Sequence, residues 1–153
     1  MSGPGAADEP ELDWLAAAGP VRVLADIHGT VELERALASL GADPLLAGTA
    51  AQDAVLGARV VVVAADGRTV ALAEPSTEGR LAATLARHGE GFAGRYVIAP
   101  VALVEVRRIA RASRVLLSSA ADGPFGPQVL VLGGAIAGPH LLLVDAAAVP
   151  SRR

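Results

Sequence analysis

The chain of 153 residues contains no cysteine, and all 13 of its basic residues are arginine, so lysine is missing as well. Without cysteine there is neither a disulfide framework nor a thiolate metal site, and a reducing cytoplasm is the expected compartment. Aromatic residues make up 3% of the chain, too few for base-stacking platforms. The arginines are scattered and the formal net charge is −3, which also argues against a nucleic-acid partner. Long apolar runs are absent although hydrophobic residues reach 52%. The longest candidates, 60–65 and 141–144, are strand-sized, whereas a bilayer crossing takes about 20 residues. The opening MSGPGAADEPELDW has no basic stretch followed by an apolar one, so no secretory signal is expected. The missing lysine, beside abundant Ala, Gly and Val, points to biased codon usage rather than to a chemical need.

What is present is punctuated, strand-rich and large enough for one core. Residues 1–19 read as a partly disordered tail, with one helical turn that docks Trp14 before Gly19-Pro20. A strand is predicted over 21–27 (VRVLADI), and Thr30 is placed to cap a helix over 31–40 that ends at Gly41. A weak strand at 44–49 precedes a strong one at 59–65, and Asp66-Gly67 turns the chain into 69–74. Ser76 is placed to cap a helix over 77–88 with Gly89 as its stop. The order then repeats, with a strand at 94–99, a helix at 102–112, and strands at 114–118, 128–132 and 140–145.

The repetition shows in the residues. Val21-Arg22-Val23-Leu24-Ala25 resembles Gly94-Arg95-Tyr96-Val97-Ile98, and Gly57-x-Arg-Val-Val-Val-Val resembles Gly126-x-Gln-Val-Leu-Val-Leu. An internal duplication follows. The fold class is α+β, built of two tandem βαβββ modules. Module 1 spans 20–75, a linker helix 76–91, and module 2 92–147, together one domain over 20–147, with a tail at 148–153.

These residues resemble the vicinal oxygen chelate superfamily, which includes glyoxalase I, methylmalonyl-CoA epimerase, extradiol dioxygenases and bleomycin-type resistance proteins. The most specific likeness is the linker. Glu74-Pro75-Ser76, a short helix and Arg87-His88-Gly89-Glu90-Gly91 are similar to the "LLEP…RGEG" pattern of the epimerase branch. The resemblance implies a homodimer and a curved, eight-stranded mixed sheet, a cup that holds a small ligand with helices outside. It also implies a divalent metal bound by His, Gln or Glu from the first and last strands of each module. This chain departs from that pattern: Ala71, Leu143 or a neighbour, Val21 or Arg22, and Gly94 or Arg95 stand at the ligand positions. Aliphatic side chains cannot ligate and a guanidinium repels a metal, so no metal and no cofactor are expected.

Five residues are candidates for ligand binding. Arg22 and Arg95 occupy matching places in the two repeats; pointing inward they would clamp a carboxylate, phosphate or enolate, and pointing outward they would be solvated. Tyr96 would face away from Arg95. Asp26 and Asp145 lie near strand ends, where either would act as a general base if desolvated and is otherwise an ordinary solvated carboxylate. Glu74 has a parity opposite to Ala71 and belongs to the helix-facing side. His28, His88 and His140 share no ligand-like spacing, and Arg107, Arg108 and Arg111 beside Arg114 form a basic helix face. Three readings are open. The first is a small-molecule-binding protein whose cup is lined by Leu24, Ala71, Ala73, Leu141 and Leu143 or their neighbours. The second is a lyase or isomerase acting on a carbonyl compound or acyl thioester, and the third a structural protein whose cup is filled by its own side chains.

Overall fold

The computed structural model describes residues 10–40, 43–44, 50–133 and 138–147. Nine strands join in a single sheet. Module 1 supplies β1 (Arg22–Gly29), β2 (Asp43–Pro44), β3 (Ala51–Asp53), β4 (Ala58–Ala65) and β5 (Arg68–Pro75). Module 2 supplies β6 (Gly91–Ile98), β7 (Ala121–Gly123), β8 (Gly126–Leu130) and β9 (His140–Val144). Both β2 and β3 pair with β4, at Ala64–Val63 and at Val60–Ala58, so they occupy one strand position and the sheet has the expected eight. The order is β2-β4-β5-β1-β6-β9-β8-β7, with the modules joined by the antiparallel β1–β6 pair at the centre.

Alternation along the strands separates two faces. The outer face is covered in two places. Leu33, Leu37 and Ala36 of α1 (Leu33–Leu40) meet Val61, Val63 and Leu72. Val106, Leu103 and Ile109 of α3 (Leu103–Ala112), with Leu12 and Leu15 of the 3-10 segment Pro10–Ala18, meet Val97, Val129, Leu141 and Leu143. The inner face carries Ala25, Ile27, Val60, Ala71, Ala73, Tyr96, Leu130, Leu142 and Val144. The linker helix α2 (Arg80–His88) lies over one end of the curved sheet and sets Leu81 and Leu85 against that inner cluster. At the far edges β3 approaches β7, where the Ala54 N–H donates to Asp122 O at 3.4 Å, so the cup is nearly closed into a barrel.

Four expectations need correction. Residues 114–118 form no strand; only the single bridge Leu117–Val131 marks the place, because α3 ends in a tight turn at Arg114. The start of α1 is held by remote carboxylates: Glu90 Oε2 accepts from Val31 N at 2.8 Å and Glu74 Oε2 from Leu33 N at 3.0 Å. Negative charge at a helix N-terminus is favourable, and Thr30 contributes only a 3.3 Å contact with Glu32 N. Helix α2 begins at Arg80 after Gly79, with no side-chain cap from Ser76. Leu141 and Leu143 face the outer helices, so Leu142 and Val144 line the inside. The predicted strand at 44–49 keeps Pro44 in β2; residues 45–49 and the Gly41 stop lie outside the described residues.

Candidate functional site

On the aliphatic inner face, polar side chains converge from three strands. Asp53 ends β3 and is fully buried. Its Oδ1 accepts from the N–H groups of Val55 and Leu56, both at 2.9 Å, an Asx turn that opens the β3–β4 hairpin. Its Oδ2 accepts the Tyr96 hydroxyl at 2.5 Å and Gln128 Nε2 at 2.8 Å. Four donors use the full acceptor capacity of a carboxylate. The cluster also ties module 1 (β3) to module 2 (β6 and β8) across the inside of the cup. Burial is the main cause that pushes the Tyr96 phenol well above its ordinary 10.0, and the neighbouring Asp53 adds to it. The ring of Phe125 meets Tyr96 edge-on, with centroids 5.3 Å apart.

Gln128 is the exception to this satisfaction. It is fully buried, and among the described residues its Oε1 has no hydrogen-bond partner. Only the amide nitrogen can face an acceptor-only carboxylate, so turning the amide over would not help. The oxygen lies against Gly123 of β7, where a Cβ would come within 2.3 Å of it. An unpaired buried acceptor costs about 1–3 kcal/mol.

His140 stands at the start of β9, where α2 covers the end of the cup. The close approach of β9 to β6 requires Gly94: its φ is +150° and a Cβ there would lie 2.0 Å from His140 O. Thr84 Oγ1 donates to Arg80 O at 3.0 Å and sits 2.8 Å from His140 Nε2, so Nε2 carries the proton and donates to Thr84. Burial lowers the His140 pKa from 6.5 and favours neutral imidazole.

Of the five residues singled out in the sequence, only Tyr96 belongs to this cluster. Asp26 and Arg95 are cross-strand partners on the outer face, paired at 3.0 Å, and Arg68 meets the same carboxylate at 2.8 Å. Arg22 is exposed and lies opposite Ile98, four residues along β1 from Asp26. The two arginines therefore do not match: aligning 21–25 with 94–98 is out of step by four residues, since β1 (22–29) corresponds to β6 (91–98). Asp145 accepts from Ala147 N at 3.1 Å beyond the end of β9. Glu74 faces α1, as its parity requires, and bonds to Arg59 at 2.9 Å.

Asp53 and Gln128 were missed. The sequence aligns Gly57 with Gly126 and so pairs Gln128 with Arg59, which points outward. In three dimensions Gly126 corresponds to Ala58, because the β3–β4 loop holds residues 54–57 and the β7–β8 loop only 124–125. Gln128 therefore matches inward Val60, one residue away from the match that the sequence suggests.

The metal implied by the resemblance would sit between the first and last strands of each module, which are the four central strands. Their inner positions hold Ala25, Ile27, Ala71, Ala73, Ala93, Tyr96, Leu142 and Val144, with His140 at the rim. Tyr96 is committed to Asp53 and His140 Nε2 to Thr84. Among the described residues no three His, Asp or Glu side chains converge to hold an ion. This donor set does not fit a divalent-metal centre.

No family model matches the chain, and no curated protein matches it by sequence. Solved structures do match it by shape. The methylmalonyl-CoA epimerase of Mycobacterium tuberculosis aligns with a TM-score of 0.62 and 17% identity over 79% of this chain and 85% of its own. A variant of the Streptomyces coelicolor epimerase, in complex with 2-nitronate-propionyl-CoA, gives 0.65 and 19% over 86% and 98%. A hypothetical protein from Bacillus halodurans C-125, BH1468, gives 0.63 and 14% over 80% and 92%. At such identities the likeness speaks for architecture, and no helix among the described residues is long and apolar enough to cross a membrane. In sheet order, paired modules and overall shape, this chain has the vicinal oxygen chelate fold.

Proposed function

We propose that the protein binds a small, neutral, largely apolar molecule on the inner face of its cup through side chains alone, with no metal. The observation that carries this reading is the buried Gln128 Oε1, without a partner among the described residues, beside the Asp53–Tyr96 pair on the mostly apolar inner face. A ligand N–H or O–H bonded there would relieve the desolvation of that oxygen. Specificity of this kind is strong because a ligand lacking the donor leaves the cost in place. The buried Asp53 carboxylate beside it disfavours anions, and the Tyr96 hydroxyl and the Gln128 amide nitrogen are held in fixed orientations by it. Tyr96 is thus retained from the expected binding residues, while Arg22, Asp26, Arg95 and Asp145 are assigned no role on this face. The homodimer and the cytoplasmic location rest on the resemblance and the cysteine-free composition.

A second reading takes the cluster as a strut. It is favoured by the saturation of Asp53 by the protein's own groups and by Val55, Leu56 and Phe125, which pack onto the inner face. The two are separated by a thermal-shift screen of small amides, alcohols and lactams against the wild type and Gln128→Leu. Ligand binding predicts compounds that raise the wild-type melting temperature by several degrees and lose that effect in Gln128→Leu. Failure of every donor-bearing compound, or equal shifts in both proteins, would leave the strut.

A further inference from the structure

We propose that a second site, on the outer side of the sheet, binds a phosphate monoester carrying an apolar group, in the cleft between the end of α3 and residues 114–117. This inference is independent of the inner-face reading. The cleft has a volume of about 330 Å³ and is walled by Arg107, Arg111 and Arg114 on one hand and Val115, Leu116 and Leu117 on the other. That size suits a small molecule.

Three properties point to an amphiphilic anion. The first is charge: residues 106–121 contain four arginines and no acidic residue, in a chain whose net charge is −3. Of the four, Arg108 is paired with Glu105, and Arg107 gives one bond, 2.9 Å, to Ser118 O. Arg111 and Arg114 are exposed, and neither guanidinium has a hydrogen bond or ion pair among the described residues. Guanidinium forks present several parallel donors suited to the oxygens of a dianionic phosphate. The second is the apolar wall, where Leu116 is 71% exposed, uncovered by any of the described residues.

The third is backbone strain. Helix α3 ends in a left-handed turn: Arg114 N donates to Arg111 O at 3.2 Å and Val115 N to Ala110 O at 2.8 Å, with Arg114 at φ +58°. Glycine is the usual residue there because a side chain destabilises that conformation. An arginine in that place costs stability while adding a cation to the wall of the cleft, the pattern of strain concentrated at functional sites.

The test is isothermal titration of the full chain with hexyl phosphate, with inorganic phosphate and hexanol as separate arms, on the wild type and on Arg111→Ala, Arg114→Gly and Arg108→Ala. Hexyl phosphate is expected to bind the wild type with a submillimolar Kd, at least tenfold tighter than either half alone. Arg111→Ala and Arg114→Gly are expected to weaken it about tenfold, and Arg108→Ala, whose guanidinium is engaged by Glu105, by less than twofold. Arg114→Gly should also raise the melting temperature by about 2 °C, so that its lost affinity is not lost folding. The proposal is overturned if hexyl phosphate does not bind, if Arg108→Ala weakens binding as much as Arg111→Ala, or if Arg114→Gly binds at full strength. Tight capture by duplex DNA or by anionic vesicles, with no response to hexyl phosphate, would overturn the small-molecule assignment as well.

Discussion

Replacing Tyr96 with phenylalanine removes a single oxygen from the centre of the molecule. The ring is fully buried, so the substitution leaves its packing, including the edge-on contact with Phe125, in place. What disappears is the donor 2.5 Å from Asp53 Oδ2, leaving that oxygen with Gln128 Nε2 alone. Hydrogen bonds to charged groups contribute about 1.5–3 kcal/mol when buried. The expected loss is therefore about 2 kcal/mol, or about 4–8 °C in melting temperature for a domain of this size. Urea unfolding should show the midpoint falling by about 1 M at unchanged slope. A double-mutant cycle with Gln128→Leu should give a coupling of about 1 kcal/mol, because both donors act on one carboxylate oxygen. A Tyr96→Phe loss under about 0.5 kcal/mol would refute the buried network, since such a value is ordinary for an exposed site. A changed slope would place the effect in the unfolded state.

Tyr96 is the sole tyrosine, so alkaline titration of tyrosinate absorbance reports on it alone. With its folded pKa raised above 10.0, its contribution to stability is full below that value. It is lost as pH rises beyond, because the unfolded chain ionises first; the absorbance step should coincide with loss of circular dichroism rather than precede it. Glu74 behaves oppositely: the Leu33 N–H, followed by Arg59, holds its pKa below 4.5. Its stabilisation is present above pH 4.5 and lost as pH falls through the lower folded value, so acid unfolding of Glu74→Gln should be less steep below pH 4.5. Gly94→Ala drives a Cβ to 2.0 Å from His140 O and should cost about 4 kcal/mol, a loss typical of gross core misfit, measured by urea unfolding. Gly123→Ala meets Gln128 instead, 2.3 Å from Oε1; it should abolish any ligand-induced thermal shift while destabilising less than Gly94→Ala.

Most of the architecture was legible because its signals are local. The β-branched runs at 59–65 and 69–74, the Asp66-Gly67 turn and the apolar spacing of α1 and α3 each fall where the structure places an element. The duplicated order of those elements led to the two modules. What failed was register. The offset between repeats was wrong by four residues at Arg22 and Arg95, which made them look equivalent, and by one residue at Gln128, which matched it with outward Arg59 instead of inward Val60. The loop difference behind it, residues 54–57 against 124–125, has no composition signature. Asp53 carried one readable hint, an acid opening a short turn before Gly57, but its partners Tyr96 and Gln128 lie 43 and 75 residues away. Long-range pairing of that kind has no trace in a single sequence. The missing strand at 114–118 was a propensity reading overridden by the helix terminator at Arg114.

The central claim, that the inner face acts through side chains and not through a metal, is tested most directly on the purified protein. Elemental analysis would be combined with melting curves in the presence of Mn, Fe, Co, Ni and Zn. The account predicts substoichiometric metal and no ion-specific rise in melting temperature. One equivalent of a divalent metal per chain, or stabilisation of several degrees by one of these ions that disappears on chelation, would contradict it and return the protein to metal-dependent chemistry.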